Sequence, residues 1–201
     1  MRYLALGDSM SIDLYTGVPG GGAAAQFARL VGAEEVEDLT LDGCTTACAL
    51  DAVRQAAITP DVVTLTAGGN DLLLCAGERG DWCGPAVQEV IHENLLRIAN
   101  RLMAFDAVVI FNTVYDPTDG DDALLPALGF QPSFRAVYTA VNADIRAIAR
   151  NHAFRCADLE TLFHGHGPTS NDPWLVKQIE PNHAGATAIA REWERVYRRG
   201  R

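Results

Sequence analysis

Three short polar fragments, each at the end of an apolar run, contain the residues that could do chemistry in this chain. They are Gly7-Asp8-Ser9, Gly43-Cys44-Thr45-Thr46 and Gly68-Gly69-Asn70-Asp71. The runs before them, residues 3–6, 36–41 and 62–67, predict three strands. Because ligands bind at the carboxyl ends of strands in an open parallel sheet, we expect the three loops to meet at one edge. Together they would supply a serine hydroxyl, a glycine N–H and a carboxamide, the parts of a nucleophile with an oxyanion hole.

The order and spacing of these fragments resemble the SGNH hydrolases, also called GDSL-type esterases and lipases. The resemblance extends from Gly7 to about Ala190. It implies that Ser9 is the nucleophile, and that the Ser9 N–H, the Gly43 N–H and the Asn70 amide form the oxyanion hole. It also implies a flavodoxin-like strand order and ester hydrolysis through an acyl-enzyme. We expect no cofactor.

The fourth block of that family, D-x-x-H-P-N-x-x-G, is altered in residues 177–185, which read Lys-Gln-Ile-Glu-Pro-Asn-His-Ala-Gly. Aligned on Pro-Asn and Gly, Glu180 stands at the family's His and Lys177 at its Asp. In one interpretation the block has slipped by a turn, so that Glu180 orients His183 and His183 deprotonates Ser9. In the other, His183 is an ordinary residue of the first helical turn and the base is another group. We favour the first, with Ser9, His183 and Glu180 as the catalytic residues.

The pattern between these fragments alternates short β-like runs with amphipathic helical stretches, which predicts a mostly parallel sheet covered on both faces. We expect one domain over residues 1–201, built as a three-layer α/β/α sandwich with about five parallel strands. The predicted helices cover residues 23–31, 46–57, 85–105, 133–152 and 181–198, and two further strands cover 107–112 and 154–157. Three long loops, residues 72–84, 115–132 and 163–180, are candidate substrate walls.

The composition is that of a folded globular protein, with 48% hydrophobic and 21% charged residues. The net charge of −10 disfavours nucleic acid and anionic membrane surfaces as partners. No apolar run is long enough to span a bilayer and no leader-like segment precedes Ser9, so we expect a cytoplasmic protein unless a leader has been removed.

The five cysteines do not have the spacing of a zinc site. Cys44 and Cys48 are four residues apart at a helix start, and Cys75 and Cys83 could form a bridge in an oxidising setting. Free thiols are the state that we expect. His164 and His166 lie on one loop, but a third ligand at suitable spacing is lacking, so we predict no metal.

The sequence therefore predicts a serine esterase that acts on a small soluble ester, such as an acetylated carbohydrate. A non-catalytic ligand-binding module on the same fold is the alternative, since the fourth block is altered. A flavodoxin-like nucleotide binder is disfavoured because the chain lacks a phosphate-binding glycine motif. The sequence does not indicate an oligomeric state.

Overall fold

Five parallel strands form one sheet in the computed structural model, in the order β2-β1-β3-β4-β5. The structure describes residues 1–79 and 84–199, and the side chains of residues 1–74 and 84–199. The strands are β1 (Arg2–Gly7), β2 (Glu35–Thr40), β3 (Val62–Leu65), β4 (Val108–Asn112) and β5 (Arg155–Ala157). The inner strands are continuous apolar runs because helices cover both faces of the sheet, whereas the edge strand β2 is rich in acidic residues.

The helices form the two outer layers of the sandwich. They are α1 (Ala23–Val31), α2 (Thr46–Gln55), α3 (Gly69–Arg79), α4 (Pro85–Leu102), α5 (Phe134–Asn151), α6 (Leu159–Leu162) and α7 (His183–Arg198), with a 3₁₀ helix at Asp122–Leu128. Side chains of β1 alternate between two cores: Leu4 and Leu6 face the layer of α2, α4 and α5, and Tyr3 and Ala5 face the layer of α1 and α7. The predicted three-layer α/β/α sandwich with five parallel strands is confirmed.

Helix α7 is fixed to the sheet by a buried side chain. Trp193 is fully buried, and its indole Nε1 donates to Oδ1 of Asn112 at 2.6 Å. The amide of Asn112 in turn donates to the carbonyl of Leu65 on the neighbouring strand. The ring of Phe27 on α1 meets that of Trp193 edge-on at 5.7 Å. Helix α7, which begins within the altered fourth block, is therefore anchored to β4 and packed against α1.

Five elements differ from the prediction. Residues 72–79, predicted as part of a loop, belong to α3, and α6 interrupts the region after β5. Two short strands, β6 (Leu175–Val176) and β7 (Glu180–Pro181), form an antiparallel hairpin before α7. The last helix begins at His183 and not at Pro181, because Asn182 caps it: its Oδ1 accepts the N–H of Gly185 at 3.0 Å.

Cys44 and Cys48 form a disulfide, so the prediction of free thiols is wrong for this pair. The capping turn at Thr45, whose hydroxyl accepts the N–H of Cys48, brings the two side chains to one side of the helix start. Cys156 is a free thiol. The possible bridge between Cys75 and Cys83 lies outside the described side chains.

Over the described part of the chain, none of the helices combines the length and the apolar character needed to cross a membrane.

Candidate active site

The carboxyl ends of β1, β2 and β3 are neighbours in the sheet and lie at the same level. Leu6 of β1 is opposite Leu39 of β2 on one side and Leu65 of β3 on the other. The loops that follow the three strands therefore leave the sheet side by side. These loops carry the three predicted site residues that come early in the chain: Ser9, Gly43 and Asn70.

The loop that carries Ser9 is packed tightly against the end of β3. A Cβ atom on Gly7, whose φ is +132°, would lie 2.2 Å from the carbonyl oxygen of Thr66, so only glycine fits there. The Thr66 hydroxyl accepts the N–H of Asp8 at 3.1 Å and lies 3.0 Å from the hydroxyl of Ser11. The Ser9 side chain, 9% exposed, is thus held on a rigid turn directly after the strand.

Asp8 is an almost fully buried carboxyl beside the serine, with 1% of its surface exposed. Its Oδ1 accepts the N–H of Met10 at 3.1 Å. Burial raises the pKa of Asp8 to about 7, and the nearby carboxyls of Glu180 and Asp71 act in the same direction. Asp8 therefore anchors the loop and also brings a perturbed acid to the site.

Gly43 and Asn70 lie on adjoining loops that are joined by a hydrogen bond. Gly43 adopts φ +73°, and the Asn70 Nδ2 donates to the carbonyl of the next residue, Cys44, at 3.1 Å. A carboxamide nitrogen carries two hydrogens, so this bond orients Asn70 and leaves one N–H to donate. Asn70 lies in the first turn of α3 and lines the same cleft as Ser9.

A buried network below these loops fixes their relative position. The carboxylate of Asp71 accepts both the N–H and the hydroxyl of Thr46, at 2.9 Å and 2.6 Å. The amide of Asn94 on α4 donates to that hydroxyl at 3.0 Å. Burial raises the pKa of Asp71. The network joins the first turn of α2, which follows Gly43, to the first turn of α3.

Glu180, from the fourth block, is a buried carboxyl near the serine. It is 7% exposed, and its carboxyl lies near enough to the Ser9 side chain for the serine to affect its pKa. Burial raises the pKa of Glu180, while the hydrogen bond from Ser9 lowers it. Its Oε2 is buried without a hydrogen-bond partner among the residues that the structure describes.

His183 is the first residue of α7 and its side chain is exposed. Its carbonyl accepts the hydroxyl of Thr187 at 2.7 Å, as expected within a helix. Glu180 and His183 therefore lie in different environments: Glu180 is buried and His183 is exposed. The reason is local: β7 ends at Pro181 and Asn182 caps the helix, so Glu180 belongs to the hairpin and His183 to the first turn of α7.

Tyr115 is a site residue that the sequence did not indicate. Its hydroxyl donates to the carbonyl of Ile179, the residue before Glu180, and its ring stacks on Phe163 at 4.2 Å. Burial, with the nearby carboxyls of Glu180 and Asp8, raises its pKa, so the phenol stays neutral. Tyr115 lies in a long connection without a recognisable motif, and only the fold brings it to the hairpin.

A cleft of about 480 Å³, including its part open to solvent, extends from Ser9. Asp8, Ser9 and Asn70 supply its polar end. The rest of the wall is mainly apolar, and its side chains include Leu72, Leu73, Val114, Tyr115, Phe130 and Phe134. A cleft with polar groups at one end and apolar walls along its length suits a substrate with a reactive polar centre and an apolar substituent.

The other histidines of the last long loop lie apart from this cleft. His166 stacks on Trp174 with ring centroids 3.5 Å apart, and the Nδ1 of the exposed His164 lies 3.2 Å from Asp119 Oδ1. Among residues 1–79 and 84–199, there is no group of three or more His, Cys, Asp or Glu side chains that could hold a metal ion.

The sequence is similar to a known family. The model of the GDSL-like lipase/acylhydrolase family matches residues 5–188. No curated protein matches the chain in sequence.

Solved structures share the whole fold at low sequence identity. Phospholipase A1 from Streptomyces albidoflavus NA297 is 19% identical with a TM-score of 0.76, over 97% of this chain and 98% of its own. An extracellular lipase from Streptomyces rimosus is 21% identical with a TM-score of 0.66, over 98% and 99%. An acetyl xylan esterase is 16% identical with a TM-score of 0.70, over 98% and 100%.

Proposed function

The chain belongs to the GDSL-like lipase/acylhydrolase family and is a serine ester hydrolase, and we propose that it works through an acyl-enzyme on Ser9 with Glu180 as the base. The observation that carries this proposal is the placement of the buried Glu180 carboxyl near Ser9, which lies at the polar end of an apolar cleft. Family membership favours turnover over the alternative of a non-catalytic binding module.

In the acylation half of the reaction, Ser9 Oγ attacks the ester carbonyl carbon and its proton passes to the Glu180 carboxylate. The carbonyl oxygen becomes an oxyanion, which the N–H groups of Ser9 and Gly43 and the free N–H of Asn70 stabilise. Preorganised donors of this kind lower a barrier by about 3 kcal/mol each. When the oxyanion collapses, the C–O bond to the alcohol breaks, and protonated Glu180 returns the proton to the departing alkoxide.

In the deacylation half, a water molecule attacks the acyl carbon and gives its proton to Glu180. The bond from the carbon to Ser9 Oγ then breaks, the acid leaves, and the proton returns to Ser9. A carboxylate is a weaker base than an imidazole, so its efficiency depends on a raised pKa. Burial of Glu180 supplies that shift.

His183 remains the second candidate for the base, as the sequence analysis proposed, with Glu180 then orienting its ring. The imidazole would have to turn back from the exposed first turn of α7 over Glu180 to reach Ser9. Such a rearrangement disturbs the existing placement of Glu180 near Ser9, and for that reason we propose the direct transfer.

The substrate that the cleft supports best is an ester with an apolar acyl chain longer than acetyl. Each buried methylene contributes about 0.8 kcal/mol, so kcat/KM is expected to rise about fourfold per methylene until the cleft is filled. The sequence-based expectation of an acetylated carbohydrate predicts the opposite order, because acetyl leaves most of the apolar wall without a contact.

p-Nitrophenyl esters with acyl chains from acetate to dodecanoate test this proposal, since the leaving group stays constant. We expect a maximum at a medium chain length and no turnover in Ser9→Ala. Leu73→Trp, which narrows the cleft, should reduce activity on the longer esters and spare acetate. Leu74→Trp is the matched control, because Leu74 is 50% exposed on the same helix. Highest activity on acetate would contradict the apolar substrate.

A further inference from the structure

The hairpin of β6 and β7 carries Glu180 on a turn of unusual backbone conformation. Val176 pairs with Glu180, and residues 177–179 connect the two strands. Lys177 and Gln178 adopt φ +47° and +73°, a region that residues other than glycine rarely enter. Residues in such rarely populated backbone conformations cluster at functional sites, so the conformation of this turn indicates that the placement of Lys177 serves the active site.

The turn brings the exposed Lys177 side chain back over the loop that carries Ser9. Its Nζ lies 5.0 Å from the ring centroid of Tyr15, within the range of a cation–π interaction. The Tyr15 hydroxyl donates to Asp42 Oδ2 at 2.9 Å, and Asp42 belongs to the loop of Gly43. The Lys177 ammonium is therefore docked on the loops that follow β1 and β2.

The ionisation of Glu180 depends on the charged groups near it, and Lys177 is the cation among them. Asp42, on the loop after β2, opposes the ionisation of Glu180. Asp8, on the loop after β1, has a pKa raised to about 7 by burial, with Glu180 acting in the same direction, so it is the carboxyl that stays protonated beside Glu180. Tyr15 and Tyr115 are the neutral phenols near it. Lys177 is the cation that favours the carboxylate. Because Glu180 Oε2 lacks a hydrogen-bond partner in the described structure, that oxygen gets no local help in holding its charge.

We infer that Lys177 is a positioning residue for the reaction: its ammonium, docked on Tyr15, keeps the Glu180 carboxylate ionised beside Ser9. This inference rests on the proposed function, in which the ionised form of Glu180 accepts the serine proton. Lys177 touches neither Ser9 nor the acyl cleft, so it acts through Glu180 alone.

The experiment is the pH dependence of kcat/KM for p-nitrophenyl ester hydrolysis by wild type, Lys177→Gln and Lys177→Arg. Without the cation, Glu180 loses its proton at a higher pH. We expect the acid limb of Lys177→Gln to move up by about half a pH unit, a loss of about threefold on the limb, with an unchanged alkaline plateau. Lys177→Arg, which keeps the charge, should retain the wild-type limb.

Salt supplies a second readout that a structural role for Lys177 would not move. An exposed charge is screened as ionic strength rises, since the Debye length falls from about 10 Å at 0.1 M to about 3 Å at 1 M. Added salt should therefore reduce the separation between the acid limbs of wild type and Lys177→Gln.

An acid limb that stays in place in Lys177→Gln, or that moves equally in Lys177→Arg, would overturn the inference. Glu180→Gln separates this failure from failure of the proposed function. If Glu180→Gln is inactive while Lys177→Gln keeps the wild-type profile, only the role of Lys177 is wrong. If Glu180→Gln turns over like the wild type, Glu180 is not the base and both proposals fail.

Discussion

Replacing Asp8 with asparagine is expected to stabilise the protein, and to do so more strongly as the pH rises. In the folded protein the pKa of Asp8 is raised by burial from its ordinary value of 3.8 to about 7. The unfolded chain therefore loses the proton near pH 4 and the folded protein loses it near pH 7. Between these values folding must take up a proton, so Asp8 lowers stability progressively as the pH rises through this window.

The size of the effect follows from the difference between the two pKa values. About three units at about 1.4 kcal/mol each give a full penalty of about 4 kcal/mol above pH 7. Integrated over the titration, the penalty grows by about 2.5 kcal/mol between pH 5 and pH 9. Asparagine carries no such charge, and its side-chain oxygen can still accept the N–H of Met10, which now binds Asp8 Oδ1 at 3.1 Å.

Urea denaturation of wild type and Asp8→Asn at pH 5 and pH 9 measures this difference as a free energy of unfolding. The advantage of Asp8→Asn should be larger at pH 9. Asp61→Asn is a suitable control: the hydrogen bond from Arg2 lowers the pKa of Asp61, so its contribution is lost as the pH falls and cannot mimic the alkaline gain. An advantage of Asp8→Asn that is equal at both pH values would refute the reasoning, because it would come from packing and not from the buried charge.

Two further changes probe the frame around the site. Asn142 is fully buried and binds both backbone groups of Val114 in the cleft wall, at 2.8 Å and 2.9 Å; Asn142→Ala should cost about 2–3 kcal/mol in urea denaturation, whereas an unchanged midpoint would show that water replaces the amide. The disulfide of Cys44 and Cys48 closes a loop of only five residues and should contribute about 2 kcal/mol. The double variant Cys44→Ser/Cys48→Ser should also lower kcat, because it loosens the loop that carries Gly43. The control Cys156→Ser, which replaces the free thiol, should leave kcat unchanged.

The sheet and its loops were predictable because strong, regular patterns specify them. The apolar runs of β1 and β3 are buried on both faces and end in glycine turns, so their direction and the meeting of the loops at one edge follow from the sequence. The hairpin of β6 and β7 was not predictable, since strands of two residues have no period to detect. Its turn uses Lys177 and Gln178 in a conformation for which the sequence would ordinarily provide glycine.

The fourth block shows where local signals compete. Proline is common in the first turn of a helix, and Pro181 was interpreted in that way. Proline is equally suited, however, to the edge of a short strand. The cap at Asn182 then starts the helix two residues later than the proline interpretation requires. A shift of this size changes where Glu180 and His183 lie relative to Ser9, and it depends on the tertiary contacts of the hairpin. The disulfide and the role of Tyr115 likewise depend on contacts that the sequence does not specify.

The measurement that tests the central proposal most directly is the turnover of Ser9→Ala, Glu180→Gln and His183→Ala on one p-nitrophenyl ester at the alkaline plateau. Loss of a general base lowers turnover by about 10²-fold or more. We predict that Ser9→Ala and Glu180→Gln lose activity to at least this extent while His183→Ala stays close to wild type, all three having cooperative unfolding transitions. Loss of turnover in His183→Ala with near-normal turnover in Glu180→Gln would contradict the proposal and identify the imidazole as the base.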